Sequence, residues 1–355
     1  MSEATRKPAR PARKKISLAL QGGGALGAYT WGALDRLLED ERIEIVAISG
    51  ASAGAMNAVV LAEGFVENGA AGARANLRAF WEGIANAGRS NPYRTTPLMA
   101  FLNAFTPAWA QSLMSPFSMW ADMASRVASP YELNPLNINP LKEVLEELVD
   151  FERVRACKAI KLFVSATNVE TGRIRVFQNK ELTADHIMAS ACLPLLFQAV
   201  EIDGKPYWDG GYMGNPALFP LFDVKATADI LIVPINPIER PGAPRTAPEI
   251  IARANEITFN ASLLRELRAI EFVGRLLDES RLPEGQYRKM LIHSLSEDQA
   301  LRPLGRGVDL NTDLDFFEDL FSAGRAASAR WLDAYFESLG HRSSIDLRAM
   351  FAGES

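Results

Sequence analysis

The sequence predicts an α/β fold in which helices flank a mostly parallel central sheet. The first observation is that residues 16–64 alternate short apolar runs, glycine turns and helical periods in the order βαβα. The second is that apolar runs typical of strands recur at 160–169, 173–177 and 229–235. Strands that alternate with helices favour a parallel sheet, because each connecting helix covers a face of that sheet.

The N-terminal part of this pattern consists of two strands, each followed by a helix. The strand at 16–20 ends at three consecutive glycines, and the next helix has apolar residues at spacings of three and four. The second strand, 43–49, leads into a helix at about 53–62 that is apolar on nearly every face. We therefore expect this second helix to be buried against the sheet.

The later elements are separated by turn signals. Asp203 and Gly204 predict a tight hairpin between two short strands at 200–202 and 205–208. After Pro244 the apolar spacing predicts two helices with a short strand between them. These three elements lie at 250–277, 290–293 and about 316–339.

The composition narrows the function classes. The chain has 355 residues, of which 48% are hydrophobic and 23% charged, and its net charge is −5. This is typical of a folded, water-soluble protein and excludes disordered and fibrous classes. Nucleic acid is not an expected partner, because no overall basic balance is present. The two cysteines, Cys157 and Cys192, form neither a disulfide framework nor a ligand cluster, so we expect no metal, no cofactor and a reducing, cytoplasmic setting.

We divide the chain into three parts. A flexible basic tail (1–15) precedes an α/β domain (16–240) with a helical insert at about 88–140, and a mainly helical C-terminal extension (241–355) packs on the core. The tail and first strand imitate a signal peptide, but the glycines that follow do not suit a helical signal sequence. The tail is therefore either a solvated charge run or a contact for anionic lipid headgroups.

The segment 95–121 has an unusual composition, because it contains no charged residue but several aromatic residues and prolines. Prolines at this density exclude a membrane-spanning helix. Two interpretations remain open. The segment is either a buried helical insert on the sheet or a movable cover that presents aromatic side chains to a lipid surface.

A candidate nucleophile stands between the second strand and its helix. Gly50-Ala51-Ser52-Ala53-Gly54 matches Gly-x-Ser-x-Gly, and both alanines are small. A sharp strand-to-helix turn tolerates only small neighbours, exposes the serine hydroxyl and directs the helix N-terminus towards a developing anion. This context predicts that Ser52 is catalytic.

The glycine run after the first strand, Gly22-Gly23-Gly24-Ala25-Leu26-Gly27, allows two interpretations. It satisfies the Gly-x-Gly-x-x-Gly fingerprint of dinucleotide sites, and its amides would also suit an oxyanion hole for an intermediate formed on Ser52. A nucleotide fold needs an acidic residue near the end of the second strand, whereas Glu44 falls inside that strand. This difference favours the oxyanion hole.

The base that would activate Ser52 is not obvious from the sequence. The three histidines, at 186, 293 and 341, lack a glycine-rich or turn context, so we expect them to be structural or exposed. Asp209 is the best alternative, because it ends a strand and is followed by Gly210 and Gly211, which allow close backbone approach. Taken alone, Asp209 is equally well explained as an ordinary turn aspartate.

Four motifs occur together in a characteristic order. They are Gly22-Gly23-Gly24 with Gly27, Gly50-Ala51-Ser52-Ala53-Gly54, Ala189-Ser190-Ala191-Cys192-Leu193-Pro194, and Asp209-Gly210-Gly211 with Asn215-Pro216. This set resembles the patatin-like phospholipases over about residues 15–220. The resemblance implies a three-layer patatin-like fold and a Ser-Asp dyad without histidine, in which Ser52 is the nucleophile and Asp209 the base. It also implies that Gly22, Gly23 and Gly24 form the oxyanion hole.

The resemblance further implies a lipid acyl hydrolase that cleaves carboxylic esters through an acyl-enzyme. The substrate would be a lipid ester, met at a membrane or lipid surface by a cytoplasmic or peripheral protein. Many relatives carry a basic residue where this chain has Leu26, and this departure favours neutral acyl substrates. The alternative is a lipid-binding or interaction protein of the same fold with weak turnover. A nucleotide-binding oxidoreductase is a third hypothesis.

Overall fold

The computed structural model describes residues 13–90, 129–137, 139–194, 196–283, 285–295, 301 and 312–352. The strands in these residues are β1 (Lys14–Leu20), β2 (Ile43–Gly50), β3 (Lys161–Asn168), β4 (Ile174–Gln178), β5 (Val200–Ile202), β6 (Lys205–Asp209), β7 (Asp229–Val233) and β8 (Leu291–Ser294). The α-helices are α1 (Gly27–Glu39), α2 (Ala53–Ser90), α3 (Pro130–Leu133), α4 (Pro140–Leu148), α5 (Phe151–Ala156), α6 (Ala184–Ser190), α7 (Ala247–Asp278), α8 (Leu314–Tyr335) and α9 (Leu347–Ala352).

The strands form one sheet in the order β5-β6-β3-β2-β1-β7-β8, with β4 paired to β3. The central strands β3, β2, β1, β7 and β8 are parallel, whereas β4 and β6 run antiparallel to β3 and β5 runs antiparallel to β6. The predicted α/β class with a mostly parallel sheet and flanking helices is confirmed. β1 and β7 are almost fully buried along their apolar runs, because helices cover both faces of the sheet.

Helix α2 is longer than the sequence predicts. It spans Ala53–Ser90 rather than ending near residue 62, and it is interrupted at Gly69, where φ is 57°. Glu63 and Gly64 resemble a helix end but lie inside the helix. Glu63 is buried beside Arg153, whose guanidinium donates to its carboxylate at 3.0 Å, and Gly64 allows the second part of α2 to pack closely on the first.

The C-terminal residues contribute both a strand and helices. β8 pairs in parallel with β7, and α8 packs along α1 on one face of the sheet. The backbones of these two helices approach closely, because a Cβ on Gly32 would overlap the carbonyl of Phe321 and one on Gly324 would overlap that of Tyr29. The C-terminal part therefore packs on the core through fitted backbone surfaces.

Two features of the sequence lie outside the described residues. They are most of the basic tail and the uncharged segment 95–121. Among the described residues, no helix is both long and apolar enough to span a bilayer.

Candidate active site

Ser52 lies in a sharp turn between β2 and α2. Its φ is 52°, a left-handed conformation that is uncommon for a residue with a side chain and that clusters at functional sites. The flanking glycines make the turn feasible, because a Cβ on Gly50 would lie 2.7 Å from the carbonyl carbon of Gly54. A Cβ on Gly54 would in turn overlap the carbonyl oxygen of Leu20. The local sequence thus forces the strained backbone that presents Ser52.

Strands β2 and β6 pair with the same side of β3, one after the other along its length. Residues 163–167 of β3 pair with β4, which occupies the other side. β2 pairs with β3 as far as Gly50 and β6 as far as Asp209, so that their last residues flank Ser165. The Ser165 hydroxyl lies 3.4 Å from the carbonyl oxygen of Gly50 and 3.0 Å from that of Gly214. Because β2 is parallel and β6 antiparallel to β3, the carboxyl ends of both strands converge on one point.

Asp209 is buried at this point, with 1% of its surface exposed. Its Oδ1 accepts a hydrogen bond of 2.7 Å from the amide of Gly211, and its main-chain carbonyl accepts one of 2.8 Å from the hydroxyl of Thr167. Burial raises the pKa of Asp209 to about 7, and the Gly211 amide and the Ser52 hydroxyl partly offset this increase. The Ser52 hydroxyl does not complete a hydrogen bond to Oδ2, which has no such bond with any described residue.

The C-terminal end of α6, residues 190–192, binds both sequence-predicted catalytic residues. The amide of Ser52 donates to the hydroxyl and the carbonyl of Ser190, at 3.0 and 3.2 Å. The amide of Asp209 donates to the carbonyl of Cys192 at 2.8 Å. The Cys192 side chain is itself buried, and desolvation raises the pKa of its thiol to about 11, so it remains protonated. This segment thus sets the spacing between Ser52 and Asp209.

The glycine loop lies directly against the Ser52 turn. A Cβ on Gly22 would lie 2.6 Å from the Cβ of Ser52, so the loop and the turn are in contact. The amide of Gly22 donates to Oδ1 of Asn215 at 2.6 Å. In the described part of the chain, the amides of Gly23 and Gly24 make no hydrogen bond, and both residues are at least partly exposed. The loop that contacts the Ser52 turn therefore has two amides without a hydrogen-bond partner among the described residues.

A comparison of the sequence with models of known protein families agrees with this site geometry. A family model described as patatin-like phospholipase matches residues 18–222, more than half of the chain. The chain belongs to this family. It is also similar to the crystal structure of VipD from Legionella pneumophila, with 14% identity, a TM-score of 0.40, and coverage of 91% of this chain and 67% of that one.

A second similar structure is that of full-length SpcU in complex with full-length ExoU from the type III secretion system of Pseudomonas aeruginosa. Its matched chain has 15% identity and a TM-score of 0.28, and the match covers 96% of this chain and 77% of that one. A comparison with curated proteins gave no match.

Two of the three histidines, His186 and His293, make contacts that are structural. His293 on β8 is fully buried, and its Nε2 lies 3.0 Å from Oδ1 of Asp229 on β7. His186 on α6 pairs through Nδ1 with the hydroxyl of Thr183 at 2.8 Å, and desolvation lowers its pKa. These contacts agree with the expectation that the histidines are structural.

The dinucleotide interpretation of the glycine loop lacks its acidic residue. Glu44 pairs with Lys15 at 3.6 Å near the amino end of β2, whereas the glycine loop follows the carboxyl end of β1. Because β1 and β2 are parallel, Glu44 and the loop lie at opposite ends of these strands. Glu44 is therefore not placed to bind a ribose hydroxyl beside the glycine loop.

Several polar residues of the site carry no recognisable sequence signal. Ser165 and Thr167 alternate with apolar residues on the buried strand β3, and Gln21 follows β1 without any motif. Gln21 is fully buried and hydrogen-bonded on every side, as Asn215 is. The one sequence feature that points to Gln21 is its position directly before the glycine run, whose backbone it adjoins.

Proposed function

We propose that the protein is a lipid acyl hydrolase, a serine hydrolase that cleaves carboxylic esters of lipids with Ser52 as nucleophile and Asp209 as base. One observation carries the proposal. Strands β2 and β6 end next to each other, so that Ser52, in the strained turn after β2, lies close to the buried carboxyl group of Asp209 at the end of β6. Membership of the patatin-like phospholipase family supports the substrate class.

The proposed reaction needs one base that becomes an acid. Asp209 takes the proton of Ser52 as its Oγ attacks the ester carbonyl carbon. Collapse of the tetrahedral intermediate breaks the bond to the alkoxy group, which receives this proton and leaves. Water then attacks the acyl-enzyme, Asp209 takes a proton from that water, and the proton returns to Ser52 as the fatty acid is released. A base whose pKa is about 7 suits both directions near neutral pH.

We assign the oxyanion to the amides of Gly23 and Gly24, which make no hydrogen bond with described residues and directly follow the Gly22 contact with Ser52. The amide of Gly22 is already bonded to Asn215, so Gly22 contributes differently. Its missing side chain leaves the space that the Cβ of Ser52 fills. Two directed amides would stabilise the negative charge that develops in the transition state.

An apolar substrate agrees with the surface near the site. The segments that follow the catalytic motifs present Leu196, Met213 and Phe219, each more than 40% exposed. Leu26, which replaces a basic residue common in the family, packs half-buried against the core and brings no charge to the loop. We therefore propose an uncharged acyl ester as the substrate, met at a lipid surface.

A second candidate is a lipid-binding protein of this fold with weak turnover. Among the described residues, none makes a hydrogen bond to Oδ2 of Asp209, and this favours the second candidate, because a fully formed dyad would hold the Ser52 hydroxyl there. The two candidates differ in reactivity, since only the hydrolase forms a covalent adduct on Ser52 rapidly.

The deciding experiment is mass spectrometry of the protein after incubation with an alkyl fluorophosphonate. We expect one adduct on Ser52, none in Ser52→Ala and a strongly slowed reaction in Asp209→Asn. Asp203→Asn, at an exposed turn aspartate, is the matched control and should react like the wild type. A folded wild type that forms no adduct would favour the lipid-binding candidate. Release of fatty acid from neutral and anionic esters would then define the substrate.

A further inference from the structure

The buried amide side chains behind the glycine loop connect it to helix α7, which lies beyond the residues matched by the family model. Gln21 is the centre of this connection. Its Nε2 donates to Oδ1 of Asn260 on α7 at 2.9 Å, and its Oε1 accepts from the amides of Ile235 and Asn236, both at 2.9 Å. Gln21 is fully buried and Asn260 is 2% exposed, so water does not compete for these bonds.

The side-chain amides of Asn215 and Asn236 both bind the backbone of Gly22. Asn215 accepts from the Gly22 amide at 2.6 Å and donates to its carbonyl at 3.3 Å. Asn236 donates to that carbonyl at 2.7 Å. Asn260 in turn donates to the carbonyl of Pro237 at 3.1 Å and so fixes the loop that carries Asn236.

Helix α7 contacts the other site segments with the same face. A Cβ on Gly211 would overlap the ring of Phe259, and the hydroxyl of Ser262 accepts from the amide of Asn215 at 3.3 Å. Glu266 accepts from the amides of Leu218 and Phe219, at 2.9 and 2.7 Å. The helix thus lies behind both the Asp209 turn and the glycine loop.

We propose that Asn260 is a positioning residue for the candidate oxyanion hole, acting through Gln21 and Asn236 on the glycine loop. The catalytic part of this proposal rests on the proposed hydrolase function. Asn260 does not reach the reacting atoms. Its effect is to keep the backbone of Gly22 fixed, so that the next two amides point towards the oxyanion.

The test compares Asn260→Leu with Asn255→Leu, a matched control at an exposed position of the same helix. The first readout is hydrogen exchange of the peptide that covers residues 20–26. The second is hydrolysis of an activated acyl ester and of its thiono analogue. A sulfur anion is held poorly by an oxyanion hole, so the ratio of the two rates reports the geometry of that hole.

We expect Asn260→Leu to increase exchange of the Gly22 amide about tenfold or more, because opening of the loop becomes easier. We expect kcat for the oxygen ester to decrease between about 10-fold and 100-fold with little change in KM. The preference for the oxygen ester should decrease as well. Asn255→Leu should match the wild type in all three measurements.

Unchanged exchange in Asn260→Leu, or a preserved preference for the oxygen ester, would overturn the proposal. If Asn260→Leu does not fold, Asn236→Ala serves instead, because Asn236 is only half-buried and its removal breaks the bond to Gly22. A wild type that hydrolyses neither ester would contradict the proposed function. The exchange readout would still decide whether Asn260 holds the loop.

Discussion

The backbone amide of Ser52 is directed at Ser190, whose hydroxyl and carbonyl oxygens lie 3.0 and 3.2 Å from it. Ser190 is the last residue of α6 and is fully buried. The strained turn is therefore held from a third element, in addition to the strand and helix that flank it. A backbone in a sparsely populated conformation persists only when its surroundings determine it in this way.

Removing the Ser190 hydroxyl should loosen this turn without abolishing it. Ser190→Ala leaves the carbonyl as the single acceptor, so about 1 kcal/mol of positioning is lost and kcat should decrease about fivefold. KM should change little. Ser328→Ala is the control, because Ser328 is an equally buried serine with one hydrogen bond, to the carbonyl of Ala33 at 3.0 Å. Steady-state kinetics in which both variants lose the same activity would contradict a specific role of Ser190.

A side chain at Gly22 should be incompatible with the site. In Gly22→Ala the new Cβ would lie 2.6 Å from the Cβ of Ser52 and 2.8 Å from the carbonyl oxygen of Ala51, so one of the two segments must move. We expect the rate of fluorophosphonate labelling to decrease at least about 10²-fold. Gly274→Ala on α7, where a new Cβ would meet no atom closer than Cε of Lys289 at 4.0 Å, should leave that rate unchanged and stabilise the helix by about 0.5–1 kcal/mol. Labelling of Gly22→Ala at the wild-type rate would show that the loop is not in contact with the nucleophile.

The activity should follow the ionisation of Asp209, whose pKa burial raises to about 7. Below that pH the carboxyl group is protonated and does not accept the proton of Ser52, so kcat/KM should decrease about tenfold per pH unit. Glu266 is the other described carboxyl group whose pKa burial raises to about 7. A pH profile of Glu266→Gln distinguishes the two, because the acidic limb should remain in this variant. A profile that is flat down to pH 5 would exclude Asp209 as the base.

The same ionisation should make the stability of the fold depend on pH. The pKa of Asp209 is higher in the folded state than the ordinary value of 3.8, so the fold favours the protonated form. Its contribution is complete below about pH 4 and is lost as the pH rises to about 7, with an upper magnitude of about 4 kcal/mol. Asp209→Asn has no such dependence. Denaturant unfolding should therefore show the variant gaining stability over the wild type between these pH values, and a constant difference would contradict the raised pKa.

The sequence predicts most of the sheet because its signals are local. The strand at 43–49 and the short strand at 290–293 agree closely with β2 (Ile43–Gly50) and β8 (Leu291–Ser294). The strained turn at Ser52 is equally local, since it requires small residues on both sides of the serine. Such features depend on neighbours within a few positions, which a single sequence displays.

Contacts between residues far apart in the chain could not be predicted from the sequence. The meeting of β2 and β6 on one side of β3 depends on strand pairing, and Gln21 contacts Asn260 from a position 239 residues earlier in the chain. Neither contact produces a periodic pattern. The extension of α2 beyond residue 62 also involves distant contacts, since the buried Glu63 accepts a hydrogen bond from Arg153, 90 residues later in the chain.

The pairing of β1 with β7 has a consequence for the smallest unit that can fold. The family model ends at residue 222, before β7 (Asp229–Val233) and β8 (Leu291–Ser294). A chain cut there would leave the buried apolar strand β1 as a bare sheet edge, a template on which other copies would add strands and aggregate. The shortest chain that stays soluble therefore extends well beyond the last catalytic motif. A shortened chain must retain at least β8.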